Sequence, residues 1–79
     1  MSPGELVRVS RNVALLWQRP VPEHAFNTIN ATEVDIRRGE CVLVAGAVVE
    51  EHDCCLWLFV VTGEGHFGWK RHDYFAEAS

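Results

Sequence analysis

Basic residues are few in this chain. Seven Lys and Arg stand against eleven Asp and Glu, for a formal net charge of −4. Non-specific attachment to nucleic acid is driven by positive charge, so this balance argues against a nucleic-acid partner. The same reasoning counts against an anionic membrane surface. Only three cysteines are present, Cys41, Cys54 and Cys55. An odd count with two adjacent is a poor disulfide framework, and free thiols in a reducing compartment are the expected state. Long apolar runs are also missing, and those present are far too short to span a bilayer. Met1 to Gly4 is followed at once by Glu5 and Arg8, so no basic segment with an apolar stretch behind it opens the sequence. That pattern points to the cytoplasm. Internal repeats, heptads and low-complexity tracts are lacking. So is a phosphate-cradling loop, since Gly63-Glu64-Gly65 reads as a hairpin connection rather than a strand-to-helix turn.

What remains is a compact apolar pattern. With 79 residues and 48% hydrophobic content, the sequence specifies one domain, residues 1–79, with enough material for a core. In Leu6-Val7-Arg8-Val9-Ser10, the two valines point one way and Arg8 and Ser10 the other, the period of a half-buried strand. Val13-Ala14-Leu15-Leu16-Trp17 resumes the apolar run. It has the composition of a short helix as well as of a strand, and Pro20 and Pro22 stop it soon after. Residues 18–38 form a long polar excursion. Within it, Asn30-Ala31-Thr32-Glu33 fits a helix capping box, but β-branched Thr32, Val34 and Ile36 alternate and favour an extended segment. Gly39 centres a turn. Cys41 to Val49 reads as a valine-rich strand, Glu50-Glu51-His52-Asp53 as a charged hairpin loop, and Cys54 to Val61 as the next strand. His66 to Lys70 is a further strand, and Arg71 to Phe75 a terminal turn. Five short strands at such spacing suggest a barrel.

Three stretches in this order resemble the Src-homology-3-like family: Gly39-Glu40-Cys41-Val42-Leu43-Val44, then Trp57-Leu58-Phe59-Val60, then Gly68-Trp69 with Tyr74-Phe75. The Gly68-Trp69 pair is nearer the bacterial branch, and the likeness covers about half the chain, Arg38 to Phe75. It implies an all-β fold: a small five-stranded barrel with a long first loop and a terminal single helical turn. Val42, Val44, Val60 and Phe75 would point inward. It also implies a shallow groove with Trp57 and Tyr74 where the family's groove aromatics lie, edged by Trp69 and Arg71. Two departures stand out. Arg71 replaces the family's groove proline, and Leu16 and Gln18 replace its first-strand tyrosines, which weakens a grip on proline-rich peptides. Lys70 stands where the family keeps an apolar core residue.

If the valines fill the barrel, strand alternation sends Leu43, Ala45, Trp57, Phe59 and Val61 outward. An apolar outer face of that kind predicts a protein partner or self-association, most simply a symmetric homo-oligomer, through Leu43, Trp57, Phe59 and Val61. The opposing expectation is that the long loop folds back over the patch. Glu23, Glu33, Asp35, Glu50, Glu51 and Asp53 are expected near the groove, where they would draw a basic partner or simply keep the surface solvated. Cys41, His52, Cys54 and Cys55 lack the spaced-pair pattern of a zinc site, and adjacent Cys54 and Cys55 point to opposite faces of a strand. No nucleophile signature accompanies His24, His52, His66 or His72. The sequence therefore predicts no enzyme, no cofactor and no metal, but a non-catalytic interaction or assembly module. A peptide- or cell-wall-binding groove and an accessory subunit of a metal or redox enzyme are the alternatives.

Overall fold

The computed structural model describes residues 2–20, 31–51 and 54–77. The chain is all-β. Seven strands run in the order β1 (Leu6–Val9), β2 (Val13–Trp17), β3 (Ala31–Ile36), β4 (Cys41–Val49), β5 (Leu56–Val61), β6 (Phe67–Arg71) and β7 (Phe75–Glu77). A 3-10 turn, His72–Tyr74, separates the last two. All pairings are antiparallel, and the sheet order is β3-β2-β6-β5-β4-β1-β7.

Two corrections to the sequence expectation follow. The described residues form seven strands, not five. The excursion over residues 18–38 contains β3, whose Thr32, Val34 and Ile36 make it extended, and Phe75-Ala76-Glu77 pairs with β1 as a short seventh strand. Closure is the second. The hydrogen-bonded order runs from β3 to β7, and no ladder joins these two among the described residues. The sheet is curled but open. Val13–Trp17 is a strand rather than a helix, held between β3 and β6. The capping-box residue Asn30 lies outside the described residues.

The curl brings six strands onto one core. Val7 and Val9 from β1, Val13 and Leu16 from β2, Ile36 from β3, Val42 and Val44 from β4, Leu58 and Val60 from β5, and Phe75 from β7 form one buried cluster. The four residues expected to point inward, Val42, Val44, Val60 and Phe75, are all buried. Two bulges adjust that alternation. A register shift between Val13 and Leu15 lets Val13 and Leu16, an odd number apart, both face the core. Another between Val44 and Gly46 sets Gly46 opposite Phe59.

Turn chemistry is local and readable. Gly39 has φ +97° in the turn entering β4, where its N–H donates to the Val9 carbonyl at 2.7 Å. In the β5–β6 hairpin, Gly65 takes φ +91° and the Thr62 N–H donates to the His66 carbonyl. In the β4–β5 connection the left-handed residue is Cys54, at φ +56°. Its N–H donates to the Glu50 carbonyl at 3.0 Å.

Candidate functional site

The outer face of the sheet carries the first candidate surface. Residues directly opposite on neighbouring strands share a face. The register Leu6↔Leu43, Leu43↔Val61 and Val61↔Phe67 therefore draws one apolar row across β1, β4, β5 and β6. Leu6 is 59% exposed, Leu43 41% and Phe67 63%, and Val61 is half-buried between them. Phe59 lies beside this row, its ring 6.0 Å from Phe67 and 5.3 Å, edge-on, from Trp69. Leu6 and Phe67 were not anticipated. Both precede a strand's clear apolar run or follow a glycine turn, and only the register aligns them with Leu43.

Trp57 departs from its expected exposure. It sits on the outer side of β5, away from the main core, yet its exposure is 0%. Trp17 packs with it in a second cluster, and Leu15, Ala31, Cys55 and Trp69 pack around the pair. The cause is the curl of β2 and β3 over this end of the face. Trp57 is a covered residue and does not belong to an accessible patch. Its Nε1 is buried and has no hydrogen-bond partner among the described residues. Of the interface residues expected from sequence, Leu43 is exposed, Phe59 and Val61 are half-buried, and Trp57 is sealed.

The second surface is a cleft of about 310 Å³. The bend after β1 supplies Arg11, β2 supplies Leu15 and Trp17, and Trp57 contributes from β5. Lys70 and Arg71 at the end of β6, with Asp73 and Tyr74 of the 3-10 turn, complete it. Thus Trp57, Arg71 and Tyr74 line one cleft, while Trp69 turns to Phe59 and the second cluster. Among the described residues, Asp73 is the carboxylate that lines this cleft. Asp35 lines a different cleft with Glu40, Glu64 and His66, and Glu23 and Asp53 lie outside the described residues.

Cations gather on one ring instead. The Arg11 guanidinium carbon is 4.3 Å and the Lys70 Nζ 4.2 Å from the centroid of Tyr74. These are the chain's only lysine and only tyrosine. Such contacts contribute about 0.5–1 kcal/mol each at partly exposed sites. Arg11 Nη1 also reaches Asp73 Oδ2 at 3.4 Å, and Arg71 Nη2 donates to Cys55 Sγ at 2.9 Å.

Burial pushes the Lys70 ammonium below its usual value of 10.5, opposed by Asp73 and reinforced by Arg11 and Arg71. The folded state then binds fewer protons than the unfolded one between the lowered value and 10.5, so stability rises with pH across that window. The cost of the charged lysine is fully present below the window and gone above it. Urea titrations from neutral pH to 10.5 are expected to show this rise in the unmodified chain and lose it in Lys70→Met. An identical pH profile for both proteins would contradict it.

The thiols differ in exposure. Cys41 and Cys54 are exposed and Cys55 is half-buried in the second cluster. No group of three potential ligands for a metal occurs among the described residues, and His52 lies outside them. No helix among the described residues is long and apolar enough to cross a membrane. Comparison with known proteins finds no matching family model, no matching curated protein and no matching solved structure.

Proposed function

We propose that this chain is a non-catalytic interaction module, a cytoplasmic, Src-homology-3-like curled sheet that pairs with a second copy of itself through its outer face. One observation carries the reading: the cross-strand row Leu6, Leu43, Val61 and Phe67, with three of its four members exposed. A row that crosses four strands is broad, and a two-fold axis over it brings the same residues together from both copies. Large exposed apolar patches on small proteins mark interaction surfaces.

Proline-rich peptide capture by the cleft is disfavoured by its chemistry. The Tyr74 ring on which a proline would stack already carries Arg11 and Lys70. The accessory-subunit reading draws no support from the free thiols, since no group of three potential metal ligands occurs among the described residues.

Sedimentation across a concentration series tests the pairing. The unmodified chain is expected to shift from monomer to dimer as concentration rises. Phe67→Asp should weaken association by roughly 30-fold or more, as at a hot-spot residue, and leave the circular-dichroism spectrum intact. A strict monomer at every concentration, or dimers indifferent to Phe67→Asp, would remove the proposal.

A further inference from the structure

A third cleft, of about 320 Å³, is lined from β2, β3, β5 and β6. Its walls include Leu16, Trp17 and Phe59, and exposed Thr32 stands at its edge. No charged side chain lines it among the described residues. The cleft at Tyr74 holds Lys70 and Asp73, and the remaining one Asp35, Glu40 and Glu64. A charged group entering the third cleft would lose water without meeting a partner charge, so its chemistry suits a neutral, apolar occupant.

The cleft is continuous with the pairing face, because Phe67, the last member of the apolar row, forms part of its lining. Phe67 is also 63% exposed, the highest value for a large apolar side chain among the described residues. A protruding ring and an uncharged hollow therefore stand side by side on one surface. A two-fold axis passing between them makes each ring face the hollow of the other copy, so both hollows fill in one closed pair. The curl of the sheet adds a reason for such an interlock. A sheet wrapped around its core bows outward on its other face, so two rows laid against each other leave their ends apart. A ring seated in a hollow supplies the close packing that two bowed surfaces lack.

We propose that in the pair described above the Phe67 ring of each copy inserts into this cleft of the other, against Trp17 and Phe59. The inference rests on that pairing and places its centre. An inserted ring meets two aromatic walls, and aromatic pairs contribute beyond the area they bury. Aromatic anchors in pockets also carry most of the energy of an interface, and here symmetry uses the anchor twice. Leu6, three strands away from Phe67 along the row, lies at the periphery of such a contact.

The test mixes isotope-labelled and unlabelled intact chain at a concentration where sedimentation shows dimers. Filtered nuclear Overhauser spectra then report contacts between copies alone. The Phe67 ring of one copy is expected to contact the Thr32 methyl group and the Trp17 indole of the other, a readout that needs no variant. Thr32→Tyr, at an exposed position of β3, crowds the cleft from its own copy and should weaken association by roughly tenfold or more. Phe67→Leu keeps an apolar side chain but loses the ring in both insertions, and should also cost roughly tenfold. Leu6→Ser should cost roughly threefold or less. Dimers without contacts from Phe67 to the partner's cleft, dimers indifferent to Thr32→Tyr, or a larger loss from Leu6→Ser than from Phe67→Leu would each overturn the insertion and leave the pairing standing. A chain that stays monomeric at every concentration removes both.

Discussion

Replacing Trp57 with alanine is expected to remove most of the stability of this domain. The side chain is fully buried between Trp17, Trp69 and their neighbours, although it lies on the side of β5 that alternation assigns to solvent. Truncating a buried tryptophan costs about 3–5 kcal/mol, the transfer term plus a cavity the surroundings cannot fill. A domain of this length has little in reserve, and a total near 5 kcal/mol is typical. Urea unfolding followed by far-ultraviolet circular dichroism should show Trp57→Ala largely unfolded or with a midpoint near zero. Trp57→Phe should cost far less, about 1 kcal/mol, because it keeps most of the ring volume and deletes an N–H that has no acceptor among the described residues. A tryptophan on an open patch behaves otherwise, with alanine changing stability by about 0.5 kcal/mol or less. That outcome would show that β2 and β3 do not cover this end of the face.

Gly68→Ala is expected to be nearly as damaging, for a different reason. Gly68 lies on β6 where β2 crosses closest. A Cβ there would stand 2.7 Å from Leu16 Cβ and 3.0 Å from the Trp17 carbonyl oxygen. Neither neighbour is a flexible tip, since one is a core side chain at its root and the other is backbone. The strand pair must separate, and Trp17↔Trp69 is the register contact that holds β2 to β6. Overpacking of this kind costs about 2–3 kcal/mol, which lowers the melting temperature of a domain this size by roughly 10–20 °C. Gly46→Ala is the control. Its Cβ would meet Phe59 Cβ at 3.5 Å and Trp69 at 3.8 Å, ordinary contacts, and it should cost less than about 1 kcal/mol. Calorimetry on the two variants compares them directly, and equal losses would contradict the close approach of β2 and β6.

Where the chemistry is local, the sequence is legible. The alternation of Val7 and Val9, and of Val42 and Val44, places them in the core because a pleated strand allows no other outcome. Gly39 marks its turn through the left-handed backbone it must adopt. The single helical turn before Phe75 is also readable. What escapes is set by partners distant in the chain. Phe75–Glu77 is a strand only because β1 lies beside it, and three residues carry no period of their own. The two bulges change which residues face inward without leaving a mark in the composition. Trp57 is covered by Trp17, forty positions away, so alternation gives its side but not its exposure. The cleft shows the same limit. Its residues Trp57, Arg71 and Tyr74 are visible in the pattern, but Arg11 arrives from the other half of the chain to stack on Tyr74.

The open ends of the sheet set how far assembly can go. One border is β7, only three residues long, and the other is β3, which holds Glu33 and Asp35 out to solvent. Stubby or charged margins resist being lengthened by a strand from another molecule. Copies that meet broadside use up the greasy surface in a single embrace and present only margins unsuited to growth. A pair of the kind proposed above should therefore stop at two and stay clear of fibres.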